Sequence, residues 1–347
     1  MDDACAKTRR AFVLESAAWL ATGWAAGAAR AIDALGPASE AVDRSRSFAL
    51  SFAGLASSGG LAPPPELGLQ SFTLRRYALE PMLDRLVDLG VRRVELIPEL
   101  EILFYRLGSH FPVTTDRAEI ARVVDAVRAR GLALSASGVH AVGDAEEAKR
   151  LFDFAARAEI PLLTIAPDEE ALDPLDRLCA EHPQIRLGIH NHGPWTRHAS
   201  IADVERSLAG RAPNFGACAD LGHFIRAGED PVAALRRLGP RVFGVHLKDH
   251  REAGFFAAGC PLGDGRLDLE ACFRALREIG FGPDRALSLE LEWGDQDQLA
   301  DVRLCLERAR SAIASVAAEA SPVGGPGRVG PARIGVPGAT IPTERRG

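Results

Sequence analysis

The chain has 347 residues, 47% hydrophobic and 25% charged, a balance that excludes disorder throughout and provides for a large core. A formal net charge of −6 and a pI of 5.9 exclude general attraction to nucleic-acid phosphates or an anionic bilayer. Six cysteines stand singly at Cys5, Cys179, Cys218, Cys260, Cys272 and Cys305 with no CxxC spacing, so they read as small buried apolar residues and not as a zinc ribbon.

At the N-terminus, Arg9-Arg10 is followed by Phe12, a mildly apolar Ala/Gly-rich stretch over 16–29, and Ala29-Arg30-Ala31. This resembles a twin-arginine export signal over residues 1–31, which implies a periplasmic or extracytoplasmic location; a cytoplasmic location follows if the segment is only an Arg-rich amphipathic helix. Residues 32–66, rich in Ala, Ser, Gly and Pro, read as a linker, and 319–347 as a disordered Gly/Pro/Arg-rich tail. No run in the body of the chain reaches the roughly 18 apolar residues of a membrane span, so the mature protein is expected to have none.

Between these ends, short β-type apolar runs alternate with stretches of helical period. Strands are predicted at 68–74, 92–96, 132–137, 162–166, 186–190, 215–220, 242–247 and 286–291. Helices follow, such as the stripe Leu79, Met82, Leu83, Leu86 and Val87 stopped by Gly90, and the stripe Leu267, Phe273, Leu276 and Ile279 before Gly280. Eight strand–helix units over 67–318 predict a single-domain (β/α)8 TIM barrel with disordered N- and C-terminal extensions; the competing doubly wound sheet lacks a GxGxxG after its first strand.

A barrel places its active site at the C-terminal strand ends, and there the apolar runs give way to polar groups. The fifth strand ends in His190-Asn191-His192, the sixth in Asp220-Leu221-Gly222-His223, the seventh in His246-Leu247-Lys248-Asp249, and the eighth in Glu290-Leu291-Glu292. Each has a plainer reading: Asp220 as a helix cap, one glutamate as a partner of Lys248, and Lys248 and Asp249 as an exposed charged rim. Taken together, His190, Asp220, His246 and Glu290 offer imidazole and carboxylate donors on four successive strands, a set that suits one divalent metal ion. Mn²⁺, Zn²⁺ or Co²⁺ is favoured by that mixture and Mg²⁺ remains open; Glu292 replaces Glu290 if the strand is displaced by two residues.

These motifs, with Gly68-Leu69-Gln70-Ser71, Val94-Glu95, Ser137-Gly138-Val139-His140, Ala227-Gly228-Glu229-Asp230-Pro231 and Gly263-Asp264-Gly265-Arg266-Leu267-Asp268, resemble in order and spacing the xylose isomerase-like TIM-barrel superfamily. That superfamily holds sugar phosphate isomerases and epimerases and the AP endonucleases. The resemblance covers 67 to about 310 and is closest to a subgroup with His-Asn-His on the fifth strand. It implies metal ligands at the ends of the fifth to eighth strands, commonly Glu, Asp, His and Glu, carried here by His190, Asp220, His246 and Glu290. His190 thus stands where the pattern has a carboxylate, and one base of the two-base epimerases is missing.

The expected activity is therefore an isomerase or epimerase acting on a sugar, keto-sugar or cyclitol through an enediolate. Glu290 serves as one base, and His192, His223, His140 or Lys248 supplies the other proton transfer. A lyase or dehydratase acting on a 3-keto sugar or glycoside is the alternative in the same site. An AP endonuclease would recruit more histidines, His110 and His140 among them, but the charge opposes DNA binding; a non-catalytic sugar-binding barrel is a further alternative. Export disfavours phosphorylated substrates. The expected partner is a small carbohydrate and no nucleic acid; the residues do not set the oligomeric state, and a homodimer is open.

Overall fold

The computed structural model describes residues 64–319, apart from 99, 103–104, 108 and 294–297. The predicted export signal, nearly all of the linker and the tail lie outside these residues.

Eight parallel strands close into a barrel: β1 (Leu67–Gln70), β2 (Arg93–Leu96), β3 (Ala133–Val142), β4 (Leu162–Pro167), β5 (Arg186–His190), β6 (Phe215–Asp220), β7 (Val242–Leu247) and β8 (Ala286–Leu289). They neighbour one another in chain order, and β1 pairs with both β2 and β8 to close the ring. Around them run α1 (Leu79–Asp88), α2 (Arg117–Ala129), α3 (Ala145–Ala158), α4 (Glu169–Glu181), α5 (Ile201–Leu208), α6 (Leu221–Arg226), α7 (Pro231–Leu238), α8 (Leu269–Glu278) and α9 (Leu299–Glu319). This is the (β/α)8 barrel that the pattern predicted.

Strand alternation sorts the core. Leu163 and Ile165, Val245 and Leu247, and Leu287 and Leu289 face the helices and join one large apolar layer. The opposite faces turn inward, where Ala136, Leu162, Phe243 and Ala286 form a separate apolar plug. Along β8 the inward series Ala286, Ser288, Glu290 runs from this plug into polar residues at the C-terminal end, all buried. Helix starts are set by side-chain caps from Asp116, Asp144, Ser200, Asp230 and Asp268, each contributing about 1 kcal/mol.

Several boundaries differ from the prediction. The first strand stops at Gln70 instead of 74, because the Gln70 side chain takes the Phe72 N–H and Ser71–Leu74 winds into a 3-10 turn. The eighth stops at Leu289 instead of 291, since the Leu291 N–H goes to Thr73 Oγ1 at 3.0 Å. The third runs on through Val142, so His140 lies within β3 and not after it. Val87 is exposed on the flank of α1 instead of joining its buried stripe, and α8 begins after Leu267. The five described cysteines are buried free thiols, as expected.

Candidate metal centre

Register brings the strand ends together. Asp220 lies opposite His246, and His246 opposite Ser288, while His190 pairs with Cys218 on the far side. The inward faces then converge, and one donor atom from each of His190, Asp220, His246 and Glu290 lies within 4.8 Å of the other three. His190 Nε2 is 3.0 Å from His246 Nδ1 and 3.4 Å from Asp220 Oδ2, and His246 Nδ1 is 3.1 Å from Glu290 Oε2. Donors about 2.0–2.2 Å from a shared ion stand at comparable separations from one another. All four residues are buried.

Asp220 takes two roles. It caps α6, with Oδ1 accepting from the His223 N–H at 2.7 Å, while Oδ2 points into the cluster. Asn191 holds the same turn from the neighbouring strand, accepting from the Asp220 N–H at 2.8 Å and donating to its carbonyl at 2.9 Å. The helix-cap and ligand readings are therefore compatible.

His246 is oriented from behind. Its Nε2 meets Glu95 Oε2 at 2.9 Å, and Ser288 Oγ donates to the same oxygen at 3.0 Å. With the Nε2 proton directed at Glu95, Nδ1 faces the cluster, where a bound ion would take the place of its proton, the arrangement by which carboxylates commonly hold metal-binding imidazoles. Burial opposes a charge on His246, but Cys218 and the carboxylates of Glu95 and Glu290 hold its pKa well above the usual value.

The plainer reading of Lys248 and Asp249 as an exposed rim does not hold, since both are fully buried. Lys248 Nζ lies 3.0 Å from Asp220 Oδ2 and 2.9 Å from each of Glu290 Oε2 and Glu292 Oε1. Burial works against the ammonium, yet these three carboxylates hold its pKa above the ordinary lysine range. Reciprocally, burial would raise Glu290, but Lys248 and His246 keep it well below the carboxylate range. In the same way His223 and Lys248 hold Asp220 down against burial. Gly222 permits this packing, since a Cβ there would come within 2.7 Å of the Lys248 side chain. Asp249 faces away, accepting the N–H groups of Gly263, Gly265, Arg266 and Leu267 at 2.9–3.0 Å.

Two further imidazoles adjoin the cluster. The His192 ring lies 4.5 Å from that of His190 and 5.2 Å from that of His223; His192 is half-buried and His223 buried. Burial lowers both pKa values well below 6.5, with help from His190 and Lys248 at His192, and from Lys248 and Arg226 at His223. A neutral imidazole offers one lone pair, and two cations face His223: Arg226 Nη1 at 3.3 Å from Nδ1 and Lys248 Nζ at 3.5 Å from Nε2.

The remaining predicted residues lie apart. His140 Nε2 donates to Ser137 Oγ at 3.0 Å, and burial lowers its pKa to about 4. His110 Nε2 donates to the Tyr77 carbonyl at 2.8 Å, outside the cluster. Glu292 is half-buried, reached through Lys248, and among the described residues the cluster takes Glu290.

The residues fit a divalent ion. Asp220 Oδ2 and Glu290 Oε2 are buried and accept no hydrogen bond of good geometry, despite the cations beside them, and His190 Nδ1 is without a partner.

The family model of the xylose isomerase-like TIM barrel matches residues 83–312. The chain belongs to this family. Over 117 residues it is 32% identical to the 3-oxo-isoapionate decarboxylase of Pectobacterium atrosepticum, a match covering 31% of this chain and 42% of that protein, less than half its length. Among solved structures, a protein of Parabacteroides distasonis superposes with a TM-score of 0.54 at 27% identity, covering 71% of this chain and 98% of that one. A xylose isomerase domain protein of Alicyclobacillus acidocaldarius gives a TM-score of 0.55 at 25% identity, covering 73% and 99%.

Proposed function

We propose that this xylose isomerase-like barrel is a metal-dependent isomerase or epimerase of a sugar, keto-sugar or cyclitol, working through an enediolate. The observation that carries the reading is the convergence of His190, Asp220, His246 and Glu290 beside a buried ammonium and two neutral imidazoles. A divalent ion held by those four residues would supply the positive charge that the two adjacent oxygens of a hydroxy-ketone need as the enediolate forms.

The chain's own groups handle the protons. Glu290, ionised under Lys248 and His246, is the carboxylate available as a base. His223 is a neutral imidazole beside the cluster, and half-buried His192 can carry a proton between adjacent carbons. Lys248 keeps its proton and acts as a fixed positive charge. Burial of Lys248, Glu290 and His223 strengthens each of these interactions.

A second reading, a lyase on a 3-keto sugar, is favoured by two observations. β5 presents His190 where a two-base epimerase needs a carboxylate, and the Pectobacterium relative is a decarboxylase. In a decarboxylation the C–C bond to the carboxylate breaks, its electron pair enters the neighbouring carbonyl to form the enolate, and CO₂ leaves. A proton taken up from solvent and relayed through His192 then completes the product and leaves His192 neutral again.

Elemental analysis of protein purified without chelators should find about one divalent ion per chain. Its absence would sink the metal-dependent reading. A panel of keto-sugars in D₂O separates the two activities: deuterium in an unchanged carbon skeleton supports isomerase or epimerase, whereas release of CO₂, water or an aglycone supports lyase. We further propose export by the twin-arginine route, supported by Arg9-Arg10 and Ala29-Arg30-Ala31. Secreted protein should begin near Ile32; cytoplasmic protein beginning at Met1 would overturn this.

A further inference from the structure

Four large hydrophobic residues are exposed among the described residues: Val87, Val113, Trp195 and Phe256. Trp195 and Phe256 meet across Phe255 at the barrel mouth. Trp195 stacks on Phe255 with ring centres 5.0 Å apart and planes 25° from parallel, and Phe255 meets Phe256 edge-on at 5.0 Å. Trp195 lies beyond β5, five residues past His190, and the two phenylalanines lie in the hairpin between Asp249–His250 and Gly259–Cys260 that follows β7.

This display is built. Arg226 Nη2 donates to the Phe255 carbonyl at 2.6 Å, the Gly254 N–H donates to the Arg226 carbonyl at 2.8 Å, and His250 Nδ1 donates to the Ala257 carbonyl at 3.2 Å. Gly259 closes the hairpin against Trp293, whose ring leaves no space for a Cβ. Trp195 itself holds φ = +71°, a left-handed backbone that few residues other than glycine adopt and that recurs where a side chain must be presented.

We propose that Trp195, Phe255 and Phe256 form a carbohydrate-stacking platform that binds the outer, non-reacting part of a glycoside whose reacting sugar lies at the buried cluster. The inference rests on the carbohydrate reading above and narrows it from free sugars to glycosides. Arg226 is the ruler: its guanidinium touches His223 Nδ1 on one side and lies 5.9 Å from the Phe255 ring centre on the other. A ligand lying along Arg226 would have its reacting ring at His223 and a second group at Phe255. Aromatic faces carry negative charge that complements the polarised C–H bonds of a sugar or the edge of an aryl aglycone. A second copy of the chain fits less well, since three rings fall short of the ~800 Å² per partner of a stable interface. Negative net charge disfavours an anionic membrane.

The test is calorimetric titration of the full metal-loaded chain with paired phenyl and methyl β-D-pyranosides of glucose, galactose and xylose configuration. At least one phenyl glycoside should bind about tenfold more tightly than its methyl partner, and Trp195→Ala with Phe256→Ala should erase that difference. Metal content should stay unchanged, and Trp195→Phe should retain most of the preference. Equal binding of phenyl and methyl partners, or a preference that survives the double variant, overturns the platform while leaving the carbohydrate reading intact. If no pyranoside binds, the platform falls, and the carbohydrate reading is decided separately by the keto-sugar panel. A dimer that dissociates only in the double variant assigns the patch to self-association and also overturns the proposal.

Discussion

The two halves of the barrel are built from the same repeated unit but carry different residues inside. On the β1–β4 side the inward groups are mostly neutral and bonded to the frame: Gln70 Nε2 donates to the Gly138 carbonyl at 2.9 Å, Ser71 Oγ accepts the Ile97 N–H at 2.9 Å, and Ser137 Oγ donates to the Leu96 carbonyl at 3.2 Å. On the β5–β8 side they are ionisable and bonded to one another: His190, Asp220, His246, Lys248 and Glu290. Glu95 is the exception, an acid on β2 that reaches across to His246. One half thus fixes the shape of the mouth and the other concentrates charge in it, so perturbing them should give separable effects.

The largest expected effect tests the charged half. Asp220→Ala combined with His246→Ala should weaken metal binding by on the order of a thousandfold or more, read by competition with a chelator, with far-ultraviolet circular dichroism unchanged. Retained affinity would mean that the donors lie elsewhere. Next, Lys248→Met leaves buried carboxylates without their cation and should cost about 3–5 kcal/mol in urea unfolding of the metal-free protein.

Glu95→Gln probes the group that crosses between the halves. Loss of the carboxylate behind His246 should weaken metal affinity about 10–100-fold with little change in stability, and an unchanged affinity would confine Glu95 to the frame. Acid should loosen both halves alike. Burial keeps His140 on β3 and His250 after β7 neutral, with pKa values of about 4 and about 3. Both values lie below the unfolded value near 6.5, so the stability from keeping each ring neutral is complete above pH 6.5 and is lost as pH falls toward 4 and 3. At pH 5 the loss should be about 2 kcal/mol for each ring, and replacing either by Gln should flatten its share of the profile. The smallest effect belongs to the frame: Gln70→Ala should cost about 1–2 kcal/mol while metal affinity stays within about twofold.

The charged half was also the more legible in sequence. Apolar runs that break into His190-Asn191-His192, Asp220 or His246 mark strand ends because a barrel strand has nowhere else to put such groups. The frame was harder to read. Ser71–Leu74 has the apolar content of a strand, and only the capture of the Phe72 N–H by Gln70 turns it into a helical turn. Lys248 and Asp249 resembled a solvated rim because composition does not reveal that three carboxylates and four backbone N–H groups await them.

Two residues carry a sign of burial in the alternation of their own strands, beyond any motif. Glu95 alternates with Val94 and Leu96 inside a strand, where a charge needs a buried partner, and His250 continues the period-two series His246, Lys248. Arg226 gave none, since an arginine in the last turn of a helix is ordinary and its contact with His223 exists only in three dimensions.

The four N–H groups that clasp Asp249 separate two neighbours with opposite duties. Lys248, one residue before it, belongs to the charge cluster, whereas the segment 251–258 that follows carries the exposed rings. With the chain pinned at Asp249 by the Gly263–Leu267 segment, exchanging the rings at Phe255 and Phe256 is expected to leave the ammonium in its place.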